Sequence, residues 1–88
     1  MTRLPLLADE YTLMYCSPDP ATIYAYTPGI LRLPTSRLIG TMDQGGPGVI
    51  HLPGPKATRG EGRHCWQGKV FTSDDGGQTW THRLDFPF

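Results

Sequence analysis

Val70-Phe71-Thr72-Ser73-Asp74-Asp75-Gly76-Gly77-Gln78-Thr79-Trp80 is a pair of β-forming runs folded about a polar turn. Asp-Gly between β-formers is a strong short-range hairpin signal, because the turn needs positive φ where the strands reverse. Ser73, Asp75, Gly77 and Thr79 recur at alternate positions and are followed by Trp80. The Asp75 carboxylate is suited to accept from backbone N–H groups of the turn, and the Ser73 and Thr79 hydroxyls can satisfy others. Gly77 supplies a positive φ that a Cβ resists. Trp80 offers a flat apolar face to the hairpin and an indole N–H that needs an acceptor. The expectation is a rigid, self-satisfied turn between strands at 69–72 and 79–84.

Upstream of this hairpin the chain alternates short β-forming runs with Gly/Pro breaks. A strand is predicted over 11–16, ending at Ser17-Pro18-Asp19-Pro20, and another near 29–32, where Pro28-Gly29 bends the run that starts at Thr22. Leu33-Pro34-Thr35-Ser36-Arg37 is turn chemistry, and apolar character resumes over 38–42, which reads as a second hairpin. Residues 44–68 read as a long loop with a short extended piece at 49–52. Loops of that length in compact domains are commonly functional, so ligand contacts are expected there. The fold class is all-β, with four or five short antiparallel strands, since no segment carries a sustained helical period.

Composition agrees with this reading. Eleven Gly and nine Pro in 88 residues, with 38% hydrophobic residues, disfavour long helices and restrict the chain to one small domain. Eight Lys+Arg balance eight Asp+Glu. Without a basic surplus, nucleic acid and anionic membrane are not expected as partners. The opening residues lack the apolar core of a secretory signal, so the chain as it stands is expected to be cytoplasmic. Cys16 and Cys65 fit two small thiols better than a disulfide framework.

The pattern Ser73-x-Asp75-x-Gly77-x-Thr79-Trp80 resembles the Asp box, or BNR repeat, of sialidases and related β-propellers, which sits at the turn joining the third and fourth strands of a blade. The upstream stretch YTPGILRLPTSRLIGTMD, residues 26–43, is similar to the first hairpin of a sialidase-type blade, with Ser36 where that pattern prefers Gly. The resemblance implies an antiparallel four-stranded blade over 22–88, one vane of an incomplete propeller, with 1–21 as a lead-in carrying a strand of an adjacent blade. It implies a fragment of a sialidase-like glycoside hydrolase, inactive alone, or else a non-catalytic propeller module that binds carbohydrate or protein. Partners would be a glycan and either the remaining blades or copies of the same chain.

Sialidases use an arginine triad that clamps a sugar carboxylate, a Tyr nucleophile with a Glu, and an Asp acid/base; a guanidinium fork matches a carboxylate, and a phenol escapes repulsion near an anionic centre. The first arginine of that triad aligns with Tyr26 here. The acid/base would fall within 44–68, where Glu61 is the one carboxylate and Asp43 stands at the start. Tyr26, Arg59, Arg63, His64 and Trp66 are the ligand-binding candidates: hydrogen-bonding groups beside an aromatic platform. Asp74 and Asp75 are not a catalytic pair, because adjacent turn residues diverge. No cofactor or metal is expected, since the spacings of His51, His64, His82, Cys16 and Cys65 fit no zinc pattern, and Gly45-Gly46-Pro47-Gly48 lacks the Lys and helix of a phosphate loop.

Overall fold

The computed structural model describes residues 12–60 and 64–88. They form an open antiparallel sheet of five strands: β1 (Tyr24–Arg32), β2 (Leu38–Gly45), β3 (Ala57–Arg59), β4 (His64–Ser73) and β5 (Thr81–Pro87). β4 lies at the centre. Its one edge pairs with β2 from Leu38↔Ser73 to Gly45↔Trp66, and β1 flanks β2. Its other edge is shared, with β3 alongside residues 64–66 and β5 alongside residues 67–72. Without the short β3, the order β1-β2-β4-β5 is a simple meander, each strand beside the next.

Local chemistry explains the two hairpins. In the first, the Ser36 amide donates to the Leu33 carbonyl (2.9 Å), and the Leu33 amide donates to the Arg37 carbonyl (2.8 Å). Ser36 takes φ 71°, a left-handed conformation that glycine accepts without steric cost. The break expected at Pro28 is a bulge: the β1–β2 register shifts between Tyr26 and Gly29, and Thr27 turns to φ 49°.

Three expectations are corrected. Residues 12–16 are not a strand; they form a strap across one face of the sheet, although their β-forming side chains are those the sequence suggested. Met14 and Trp80 lie against Gly40, and the Tyr15 ring sits 6.2 Å from that of Phe71. Residues 44–68 are not one long loop either. β2 runs on through Gln44-Gly45, Val49–His51 form a single 3-10 turn where extended chain was expected, β3 follows, and β4 begins at His64 rather than residue 69. Cys16 is an exposed free thiol; Cys65 is half-buried.

What holds the middle segment down is a buried amide pair. Gln44 and Gln67 are both fully buried, and Gln44 Nε2 donates to Gln67 Oε1 (2.9 Å). Gln67 Nε2 donates in turn to the carbonyls of Pro53 (2.9 Å) and Pro55 (3.1 Å), while the Tyr15 hydroxyl donates to Gln44 Oε1. Prolines leave a carbonyl with no amide of their own to trade, so Gln67 serves two acceptors that no ladder reaches. The network ties the strap, the two central strands and the Pro53–Pro55 bend together.

On the strap face Lys69 Nζ and His82 Nε2 each lie 2.8 Å from Asp85 Oδ1. Burial pushes the Asp85 pKa up, but hydrogen bonds from Lys69 and His82 outweigh it and the net shift is downward. Burial, with lesser help from Cys16 and Asp85, raises the pKa of Tyr15. Among the described residues no helix is long and apolar enough to cross a membrane.

Candidate functional site

The turn between β4 and β5 performs the role expected of it. The Ser73 hydroxyl donates to Asp75 Oδ1 (2.8 Å) and accepts from the Gly77 amide (2.9 Å). Asp75 also accepts from the Thr79 amide (2.9 Å) and the Thr79 hydroxyl. Trp80 Nε1 donates to the Gly77 carbonyl (3.1 Å), and the half-buried indole covers Gly40. Gly77 has φ 91°, and Gly76 preceding it has φ 75°. The Thr79 hydroxyl, then the Thr79 amide and Ser73, hold the Asp75 pKa at about 2. All of the charge of Asp75 is spent on its own turn, and nothing is left to react. Asp74 points elsewhere, into a two-bond ion pair with Arg37 at 2.7 and 3.0 Å, so the two aspartates do not act as a dyad.

The opposite face of the sheet is different. Cross-strand partners share a face, as do residues two apart along a strand. Tyr26↔Asp43 and Gly45↔Trp66 therefore place Tyr26, Asp43 and Trp66 on one side. The Trp66 ring lies flat over Gly45, 2.5–2.9 Å from where a Cβ would stand, so any larger residue at 45 would displace it. Tyr26 and Trp66 have ring centroids 5.5 Å apart, and Tyr24 meets Tyr26 edge-on at 6.4 Å. From β3, the Arg59 guanidinium stacks 4.7 Å from the Trp66 ring and 4.8 Å from that of Phe88, within cation–π range.

Two shallow cavities open around these rings. One, about 350 Å³, is lined by Tyr24, Tyr26, Gly46, Pro47, His64 and Trp66. The other, about 420 Å³, is lined by Arg59, Gly60, His64 and Trp66. His64 and Trp66 form the wall between them. The groove thus brings together four of the predicted ligand candidates: Tyr26, Arg59, His64 and Trp66. Arg63 and Glu61, the remaining ligand candidate and one of the two acid/base candidates, lie outside the described residues.

Asp43, the other acid/base candidate, is 3% exposed. It lines a third cavity, about 130 Å³, with Thr27, Thr41, Met42, Phe86 and Phe88. Among the described residues no side-chain polar atom sealed from solvent lacks a hydrogen-bond partner. Asp43 lines this cavity and makes no side-chain hydrogen bond or ion pair with any described residue. Phe88 borders this cavity and also carries the Arg59 guanidinium, which makes the Asp43 cavity and the Trp66 groove neighbours.

Comparison with protein-family models, with curated proteins and with solved structures finds no match to this chain. Aromatic faces and a guanidinium around an open groove suit a ligand with both an apolar face and polar rim groups. Sequence reasoning missed Tyr24, Phe86 and Phe88: Tyr24 reads only as a β-former, and the two phenylalanines arrive from the end of the chain. Among the described residues no three metal-ligating side chains cluster.

Proposed function

We propose that the chain is one blade of a sialidase-like β-propeller and that it binds carbohydrate through the Trp66 groove. The observation that carries the binding reading is the convergence of Tyr26, Trp66 and Arg59 on one open face. A pyranose ring has an apolar C–H face that stacks on indole or phenol, while its hydroxyls need donors and acceptors at the rim. Arg59, His64 and Asp43 supply them. The blade reading is supported by the meander β1-β2-β4-β5 and by the hydrogen-bonded Ser73–Trp80 turn between its third and fourth strands. Blades of this kind pack side by side around a ring, so the remaining blades, or copies of the chain, are its partners.

Hydrolysis of a glycosidic bond needs a second carboxylate or a nucleophile facing the acid. Among the described residues the other carboxylates do not face Asp43: Asp85 is held by Lys69 on the strap face and Asp75 by its own turn. The chain alone is thus a binding element, and Asp43 becomes a proton donor only in a propeller whose other blades bring the nucleophile.

A glycan array probed with the 88-residue chain tests this. Saturable binding to a subset of glycans, weakened about tenfold or more by Trp66→Ala with the far-ultraviolet spectrum unchanged, is the expected result. Binding to no glycan, or binding indifferent to Trp66→Ala, would remove the carbohydrate reading. A panel of aryl glycosides should show no turnover by the chain alone.

A further inference from the structure

Sugar hydroxyls do not exhaust what the Asp43 cavity offers. A carboxylate taken out of water is strongly disfavoured unless an opposite charge and hydrogen-bond donors meet it. Asp43 is 97% buried, since only 3% of its surface is exposed, and no described residue meets its charge. Arg59, on this face, is stacked on Trp66 and Phe88 and forms no ion pair with Asp43.

The other lining groups narrow the choice of ligand. Thr27 and Thr41 bring hydroxyls that can accept, and Phe86 and Phe88 bring aromatic rings set edge to face, 6.2 Å apart. Ring faces attract cations. A neutral hydroxyl gives Asp43 a donor but no charge, and an acetamide gives one N–H with a methyl group to house. A primary ammonium gives three donors together with an opposite charge.

We propose that the Asp43 cavity takes a primary ammonium group and, resting on the carbohydrate reading above, that the ligand of the groove is a glycan with free amino sugars. The cavity, about 130 Å³, holds the amino-bearing corner of a sugar while the ring itself lies on Tyr26 and Trp66. Tyr26 and Asp43 are direct cross-strand partners, so the two halves of such a ligand need span only one pair.

Three β-1,4-linked tetrasaccharides that differ only at C2 provide the test: the glucosamine, N-acetylglucosamine and glucose tetramers, titrated by calorimetry into the full chain. The glucosamine tetramer is expected to bind about tenfold or more tightly than the other two, and Asp43→Asn to level the three. Equal binding of all three by the unaltered chain overturns the ammonium assignment and leaves the carbohydrate reading standing. Should no tetramer bind, methylammonium chloride followed by NMR separates the two ideas. Shifts confined to Asp43, Phe86 and Phe88 uphold the cation site and remove the carbohydrate reading; no shifts remove both.

Discussion

Asp75 and Asp43 carry the same side chain into opposite settings. Asp75 stands in an exposed turn, yet hydroxyls and an amide from Ser73 and Thr79 occupy its oxygens. Asp43 is buried in the sheet, yet no described residue bonds its carboxylate, which borders a cavity walled by Phe86 and Phe88. Exposure alone does not tell which of the two has its acceptor sites filled. A carboxylate whose acceptor sites are filled by its own turn stabilises the fold. One that is buried with no partner among the described residues is held at a cost that a ligand bringing donors would offset.

The comparison can be broken first at Ser73, where the largest effect is expected. Ser73 is 2% exposed and bonds both Asp75 and the Gly77 amide. Ser73→Ala should remove about 1–3 kcal/mol of stability in urea titrations, because a half-buried amide and a carboxylate both lose a partner. Asp43→Asn should act in the opposite direction, neutral or stabilising by up to about 1 kcal/mol in the absence of ligand, because it replaces a buried carboxylate that no described residue pairs. A loss as large as that of Ser73→Ala would place Asp43 among the structural residues.

A smaller effect is expected with pH. Asp75 is lowered from 3.8 to about 2 by Thr79 and Ser73, so its contribution is complete above pH ~4, declines as the pH falls towards 2, and is absent below. Comparing urea midpoints of the unaltered chain and Asp75→Asn from pH 6 to pH 2 should show a gap that closes over that window. Smallest of all is Arg37→Ala. The Arg37–Asp74 pair is well formed but solvent-exposed, with side chains 43% and 63% accessible, and water screens such pairs almost completely. Its loss should leave the midpoint where it was.

The two aspartates also mark how far the sequence could be read. The Ser73–Trp80 turn was legible because every partner of Asp75 lies within four residues, so spacing alone specifies the bonds. The burial of Asp43 was not, because Phe86 and Phe88, more than forty positions away, make the wall around it. The same distinction explains the middle of the chain. Gln44-Gly45 and His64–Gln67 have little intrinsic preference for strands and read as loop. They are extended because they pair with one another and bury the Gln44–Gln67 contact, a tertiary override of local propensity. Residues 12–16 err the other way: β-formers that find no strand to pair with and instead lay Met14 and Tyr15 on the sheet. The Trp66 groove was half legible, since Arg59, His64 and Trp66 are near neighbours in sequence, whereas Tyr26 joins them only through the register of β1 on β2.

The irregularity at Thr27-Pro28 has a further consequence for how molecules of this protein meet. All nine residues of β1 are exposed, and its outer edge has no neighbour among the described strands. Such a border invites another polypeptide to zip on and seed fibres. Here Pro28 has no amide hydrogen to offer and Thr27 is twisted out of the extended range, so the border is cut into two short stubs, 24–26 and 29–32. Neither is long enough to template an intruder, and the kink acts as a guard against runaway stacking.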